Sequence, residues 1–192
     1  MDPIDNMLAR YRTISAYQAT IRSFHGSEAE IIRYYFQQPG MIRMEFIKPH
    51  RGAVLIYDPE QKRIFLWPFG SMWLPPLSLS PDNPMVQSPT GQRVDRSDIG
   101  SLLENIRALQ DGGETKILGE ESIDEFDAVH IVVRGKPHAS LGDVHCYEVW
   151  LDQRNAFPVR VSSFDAADRL METVVLEDVE IDPCFPARFF AP

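Results

Sequence analysis

The sequence predicts an α+β fold in which one large, curved antiparallel sheet is covered by two helices. Three observations support this prediction. Residues 29–67 read as five short segments of a strand meander, hinged at 38–40, 48–52 and 57–59. Two other segments have the apolar spacing of amphipathic helices. Strand and helix patterns do not alternate along the chain as they would in a parallel sheet.

The first helix is predicted at the start of the sequence. Asp2 can cap it, and Pro3 suits its first turn. Its apolar stripe consists of Ile4, Met7, Leu8 and Tyr11. This stripe is expected to pack on the sheet.

Alternating residues predict the first strands. Residues 15–24 and 29–36 alternate apolar and polar side chains on either side of a turn at 25–27. In the next strand, residues 41–47, the apolar residues Ile42, Met44 and Phe46 alternate with Arg43 and Glu45. One face of this strand is therefore predicted to be apolar and the other charged. A solvated ion pair is the default role for Arg43 and Glu45, and the alternative is a contact with the covering helices.

Residues 54–57 and 64–67 are apolar at almost every position, which predicts strands that are buried on both faces. The segment that follows, 66–77, contains too many prolines for a strand or helix interior, yet it is too apolar for an ordinary solvated loop. Two interpretations remain open for it. It either forms the mouth of an apolar pocket or folds down as additional core.

The second helix is predicted to start at Ser97 and Asp98 and to stop at Gly112 and Gly113. Its apolar stripe consists of Ile99, Leu102, Leu103, Ile106 and Leu109. Five further strands are predicted at 114–121, 128–134, 144–151, 159–164 and 170–181. No linker, repeat or shift in composition divides the chain, so residues 1–192 are predicted to form a single domain.

Composition excludes some functions. A net charge of −9 with scattered basic residues argues against binding to nucleic acid, and more weakly against permanent residence on an anionic membrane. No apolar stretch is long enough for a membrane-spanning helix, so an integral membrane protein is not expected. If the last strands form a meander, Cys146 and Cys184 lie two strand spacings apart, which disfavours a disulfide.

The sequence offers no catalytic, cofactor or metal-binding signature. His130, His138 and His145 lack the spacing of metal ligands, and the acidic run 120–127 lacks the pattern of a calcium loop. Neither a nucleophile elbow nor a phosphate-binding glycine loop is present. These observations predict a binding protein rather than an enzyme, with no cofactor and no metal.

Several segments resemble the LolA-like family of periplasmic lipoprotein carriers and outer-membrane lipoprotein-sorting proteins, over most of the chain. They are the opening helix with residues 15–19, then 35–46, Lys48-Pro49, 54–57, 64–68, 149–152, 157–160 and the tail 185–192. The resemblance implies an incomplete β-barrel with a helical lid. Its apolar interior would take up acyl chains of lipids or lipoproteins and carry them toward the outer membrane. Membrane-anchored donor or acceptor proteins are further expected partners.

The resemblance also implies a location and a lid contact. The protein is expected in the periplasm, with any signal peptide absent from this sequence. The carriers have an arginine before the proline of the first hinge, where this chain has Gln38. Glutamine keeps hydrogen-bonding capacity but lacks the charge and fork geometry of arginine, which favours a more passive binding role. Gln38 and Arg43 are the candidate lid contacts.

Eight apolar residues are the candidate acyl-chain lining: Met44, Phe46, Leu55, Tyr57, Phe65, Trp67, Trp73 and Leu77. Where both faces of a strand are apolar, the sequence leaves its phase open, so Ile42, Val54, Ile56, Ile64 and Leu66 are the alternatives. Two other functions also remain open. One is an envelope sensor or scaffold that binds a protein or a lipopolysaccharide-type ligand without transport. The other is an enzyme that modifies envelope lipids.

Overall fold

A computed structural model describes residues 2–88, 91–123 and 126–192 of the protein. In these ranges the helices are α1 (Pro3–Tyr11) and α2 (Ile99–Gln110), and short 3-10 turns occupy Pro84–Val86 and Val94–Arg96. The strands are β1 (Ala16–His25), β2 (Glu28–Gln37), β3 (Met41–Lys48), β4 (Val54–Asp58), β5 (Arg63–Trp67), β6 (Leu77–Leu79), β7 (Glu114–Ile123), β8 (Phe126–Arg134), β9 (Cys146–Asp152), β10 (Pro158–Phe164) and β11 (Leu170–Ile181).

The strands form one hydrogen-bonded sheet with the order β6-β5-β4-β3-β2-β1-β11-β10-β9-β8-β7. Strands that follow one another in the sequence are neighbours, except β6 and β7. Pairing is antiparallel from β2 to β6 and from β7 to β11. The order ends at β6 and β7, so the sheet does not close on itself. The predicted α+β class and the large, open antiparallel sheet are confirmed.

Two details of the strand prediction were wrong. Residues 29–67 hold four strands, β2 to β5, because three hinges separate only four segments. The fifth member of the meander, β1, precedes them. The segment after Trp67 also contains a strand that was not predicted, since Leu77–Leu79 pairs with β5. Three residues between prolines are too few for alternation to be recognised.

The chain divides into two compact units. Unit 1 contains residues 1–13, 22–29 and 102–177, and unit 2 contains residues 14–21, 30–101 and 178–192. Each is described separately below. The expectation of a single domain stays a prediction.

In unit 1, α1 begins as its sequence predicts. The Asp2 side chain accepts hydrogen bonds from the backbone N–H groups of Ile4 and Asp5, at 2.8 and 3.2 Å. Such a cap satisfies donors that have no partner within the helix. The part of α2 that belongs to unit 1 lies beside α1, since Arg107 forms an ion pair with Asp5 at 3.1 Å. The inward side of α2 is formed by Leu103, Ile106 and Leu109, all buried.

Candidate functional site

One apolar face of the unit 2 strands forms the candidate site. The Tyr17 ring of β1 stacks on Tyr34 and Phe36 of β2, with ring centroids 5.9 and 5.1 Å apart. The strand register extends this face across β3, β4, β5 and β6. We call it the α2 face, because the start of α2 contacts it. Its members are Tyr17, Tyr34, Phe36, Ile42, Met44, Phe46, Leu55, Tyr57, Ile64, Leu66, Leu77 and Leu79.

Two tyrosine hydroxyls hold the start of α2 on this face. The backbone N–H of Ile99 donates to the Tyr17 hydroxyl at 3.1 Å, and the Tyr34 hydroxyl lies 3.1 Å from Oγ of Ser97. Burial raises the pKa of Tyr34 well above its ordinary value, and the nearby Asp98 carboxylate raises it further. Tyr34 therefore stays protonated, and its contact with Ser97 persists at any physiological pH.

Burial of the α2 face decreases toward the sheet edge. Tyr17, Tyr34 and Ile42 are almost fully buried, whereas Leu77 in the edge strand β6 is 46% exposed. Near β4, the ion pair between Arg93 and Asp95 lies close enough to Tyr57 to influence its pKa, which burial raises. The deep part of the face is thus closely packed by the chain itself, and its edge is open to solvent.

The eight predicted lining residues do not all lie on this face. Five of them do: Met44, Phe46, Leu55, Tyr57 and Leu77. Phe65 and Trp67 point to the opposite side of the sheet, because Phe65 pairs with Ile56 and Trp67 with Val54, and these four side chains pack together. The eighth, Trp73, lies in the loop between β5 and β6. Of the alternative residues, Ile42, Ile64 and Leu66 belong to the α2 face, while Val54 and Ile56 do not.

The apolar segment after β5 forms an ordered loop. Trp67 is 4% exposed and its indole N–H donates to the Leu74 carbonyl at 2.8 Å. Gly70 has a positive φ of 69° and packs so closely on Gly52 that a side chain there would collide with the Gly52 carbonyl. In contrast, Phe69 and Trp73 are 88% and 83% exposed. Trp67 therefore belongs to the core and Trp73 lies on the surface, while the interpretation of the segment as a pocket mouth stays a prediction.

Arg43 lies on the side of the sheet opposite the α2 face. Its guanidinium binds Glu45 at 2.7 Å, donates to the Phe189 carbonyl at 2.9 Å, and lies 4.5 Å from the centroid of the Phe189 ring. It also approaches the sulfur of Met72 at 3.6 Å. These partners belong to β3, the C-terminal tail and the β5–β6 loop rather than to a helix, which differs from the predicted lid contact. Gln38 is exposed, and its backbone N–H donates to the Ser15 carbonyl at 2.9 Å.

Sequence reasoning missed the aromatic tail contact and the tyrosine pair. The Tyr35 ring forms edge-to-face contacts with Phe185 and Phe189 on the side of the sheet that carries Arg43. No local pattern in the sequence pairs the Phe-rich ending with β2 and β3. Tyr17 could have been found, since its alternation with Gln18 places it on the apolar side of β1.

In unit 1, His130 belongs to a row of stacked side chains. Its ring lies on Trp150, with centroids 4.1 Å apart, and the Arg160 guanidinium lies 5.6 Å from the Trp150 ring centroid. The Trp150 indole N–H donates to Glu121 at 2.7 Å. Across the described ranges, His, Cys, Asp and Glu side chains form no group of three or more suited to hold a metal ion. Cys146 and Cys184 are both free thiols.

No protein-family model and no curated protein matches the chain. Solved structures do match. An uncharacterised conserved protein from Thermus thermophilus is similar at 14% identity and a TM-score of 0.59, covering 97% of this chain and 92% of its own. The Mycobacterium tuberculosis lipoprotein LppX is similar at 12% identity and a TM-score of 0.56, covering 95% of each chain.

MucB, in the Pseudomonas aeruginosa MucA/MucB complex, is similar at 14% identity and a TM-score of 0.58. The match covers all of this chain but 61% of MucB, so this chain spans less than two thirds of that protein. Identities this low establish the fold alone. The chain therefore shares its fold with LppX and MucB. Neither described helix has the length and apolar character needed to cross a membrane.

Proposed function

We propose that this protein is a non-enzymatic binding protein of the periplasm that accommodates acyl chains of lipids or lipoproteins on its α2 face. One observation carries the proposal. Strand register brings apolar side chains from six neighbouring strands onto a single face, and this face leads to an exposed edge at Leu77.

The energetics suit an acyl ligand. Each methylene transferred from water to an apolar surface gains about 0.8 kcal/mol, so a chain of a dozen or more needs a continuous apolar surface rather than a small pocket. The α2 face has this extent and carries no charged side chain among its twelve members. The tyrosine hydroxyls of Tyr17 and Tyr34 are already bound to the start of α2.

Binding requires movement. The deep part of the α2 face is filled in this structure, so an acyl chain would enter at the β6 edge and displace the segment that covers Tyr57 or the start of α2. Two tyrosine hydrogen bonds are a modest barrier to such a displacement, since each contributes on the order of 1 kcal/mol net. The ligand's apolar surface would replace the contacts that are lost.

The test is uptake of a fluorescent fatty acid in vesicle-free solution, combined with native mass spectrometry of protein purified from a bacterial periplasm without detergent. Phe46 and Phe65 provide a matched pair, because both are half-buried phenylalanines on opposite faces of the sheet. We expect Phe46→Ala to weaken uptake about tenfold or more, and Phe65→Ala to leave it within about twofold. Equal effects of the two substitutions, or no uptake by the unaltered protein together with a ligand-free mass, would refute the proposal.

A second candidate is a scaffold or sensor that binds another protein. The observation in its favour is the fold match to MucB, whose structure was solved in complex with MucA. A scaffold would retain its partner, whereas a carrier would release its cargo to a membrane acceptor. Transfer of bound fatty acid to acceptor vesicles therefore separates the two functions.

A further inference from the structure

We propose that unit 2 docks on anionic lipid bilayers through the β5–β6 loop, residues 68–76, together with the β3–β4 turn, residues 48–52. We call these two segments the docking tip. This function goes beyond acyl-chain binding, and neither proposal requires the other.

Exposed aromatic side chains at the docking tip are the first observation. Phe69 and Trp73 are the two most exposed large apolar side chains in the described ranges, at 88% and 83%. They project from an ordered loop rather than from a frayed segment. The backbone N–H of Leu74 donates to the Ser71 carbonyl at 3.0 Å, and the Leu74 carbonyl accepts the Trp67 indole N–H. The loop thus holds both rings in solvent. An ordered, exposed apolar surface of this kind is typical of an interaction site.

The charge around the aromatic side chains is the second observation. Gly70 packs directly on Gly52, so the loop lies beside the turn that carries Lys48, His50 and Arg51, all exposed. The sequence contains no Asp or Glu in residues 46–57 or 64–81, although the whole chain has a net charge of −9. Two strand carboxylates lie near the turn: Glu45, which is neutralised by Arg43 at 2.7 Å, and Glu30 of β2, which precedes Ile31, the pairing partner of Lys48. One carboxylate therefore stands against the two cations Lys48 and Arg51.

The acidic side chain of Asp95, in the segment that follows β6, lies away from the docking tip. Asp95 acts on Tyr57, at the opposite end of β4 from Val54 and the docking tip. Val54 and Tyr57 are three residues apart along β4, a rise of roughly 10 Å, which exceeds the Debye length of about 8 Å at physiological ionic strength. The docking tip is therefore locally basic, even though net charge argues against the whole protein residing on an anionic membrane.

An anionic bilayer is the occupant that this chemistry fits. Trp and Phe rings partition into the interface between headgroups and acyl chains, and adjacent Lys and Arg side chains bind anionic headgroups. A neutral apolar groove on a protein would use the rings but not the basic turn. Docking of this kind would also place the open edge of the α2 face, at Leu77, next to the lipid surface, since Leu77 directly follows the loop.

The protein supplies its own fluorescent reporter. Of its three tryptophans, Trp67 and Trp150 are 4% and 7% exposed, whereas Trp73 is 83% exposed. A shift of emission on adding vesicles therefore reports the environment of Trp73. The experiment is co-sedimentation and tryptophan emission with vesicles of phosphatidylglycerol and phosphatidylcholine in equal parts, and with vesicles of phosphatidylcholine alone.

We expect binding to the anionic vesicles, a blue shift of emission, and at least tenfold weaker binding to phosphatidylcholine alone. Phe69→Ser and the double variant Lys48→Gln/Arg51→Gln should each weaken binding at least fivefold. The control is Ile117→Ser/Leu118→Ser, which removes two apolar side chains of 58% and 59% exposure from β7 in unit 1 and should leave binding unchanged.

Three results would overturn the proposal: absence of binding to anionic vesicles, equal loss of binding in the control variant, or a concentration-dependent blue shift without vesicles that Phe69→Ser abolishes. The last would assign the docking tip to self-association. Failure here is distinct from failure of acyl-chain binding, because fatty-acid uptake is measured without any vesicles.

Discussion

The hydroxyl of Tyr17 in β1 accepts a hydrogen bond from the backbone N–H of Ile99, the first residue of α2, at 3.1 Å. The first N–H groups of a helix have no partner within it, so they need one from outside. Here a strand residue supplies the partner from the apolar face that the helix start covers. Tyr17 thereby connects helix capping to closure of the candidate site.

Removing this hydroxyl should loosen the start of α2. We expect Tyr17→Phe to lower the free energy of unfolding by about 1–2 kcal/mol, because a buried N–H loses its acceptor. Urea denaturation measures this change, and hydrogen exchange should show faster exchange of the Ile99 amide. Tyr57→Phe is the control, since Tyr57 is also buried on the α2 face and its hydroxyl makes no hydrogen bond within the described ranges. A comparable loss of stability in Tyr57→Phe would contradict the capping role.

The stripe of α2 offers a second test. Leu103 is fully buried, so Leu103→Asp places an unpaired charge in the core of unit 1 and should destabilise the protein by several kcal/mol, on the order of 4. Ala108 is exposed on the same helix. Ala108→Asp should change stability by less than about 1 kcal/mol. Thermal unfolding of both variants checks the expectation, and a small shift for Leu103→Asp would be incompatible with the placement of α2.

These elements also show what sequence patterns can predict. In β3, Ile42 and Met44 alternate with Arg43 and Glu45, and the structure places the apolar pair on the α2 face. The helix cap at Asp2 could be predicted because it involves only residues two and three positions away in the sequence. Local periodicity and capping chemistry are properties of short segments, so the sequence contains all the information that they require.

The phase of β4 and β5 could not be predicted in this way. Both sides of these strands are buried, Leu55 on the α2 face and Val54 on the other, so hydrophobicity does not distinguish the two. Only the pairing register does, and it placed Phe65 and Trp67 away from the predicted lining. The contact between Arg43 and Phe189 joins residues 146 positions apart, and no local pattern encodes such a pair.

The two tryptophans at the β5–β6 loop should differ sharply in their contribution to stability. Trp67 is buried beside Val54 and donates to Leu74, so Trp67→Ala should cost about 3–5 kcal/mol. Trp73 is surrounded by solvent, and Trp73→Ala should stay within about 0.5 kcal/mol of the unaltered protein. Urea denaturation of the two variants is the measurement. A large loss for Trp73→Ala would mean that the whole loop is core, and it would remove the basis for an exposed docking tip.

Alkaline conditions should destabilise both units through their buried tyrosines. Burial raises the pKa of Tyr147 in unit 1 to about 12 and that of Tyr34 in unit 2 further, from an ordinary value of 10.0. The unfolded chain therefore loses these protons at lower pH than the folded protein. The stability that the neutral tyrosines contribute is fully present below about pH 10 and is lost as pH rises toward the folded pKa.

The measurement is the free energy of unfolding in urea from about pH 8 to about pH 11.5, where its decline should begin near pH 10. Tyr147→Phe removes one of these groups. It should therefore make the decline shallower, without abolishing it, because Tyr34 remains and burial also raises the pKa of Tyr35 and Tyr57. The Tyr147 hydroxyl also hydrogen-bonds Asn105 of α2, so this variant will start from a somewhat lower stability at neutral pH. An unchanged slope in Tyr147→Phe would show that other groups cause the alkaline loss.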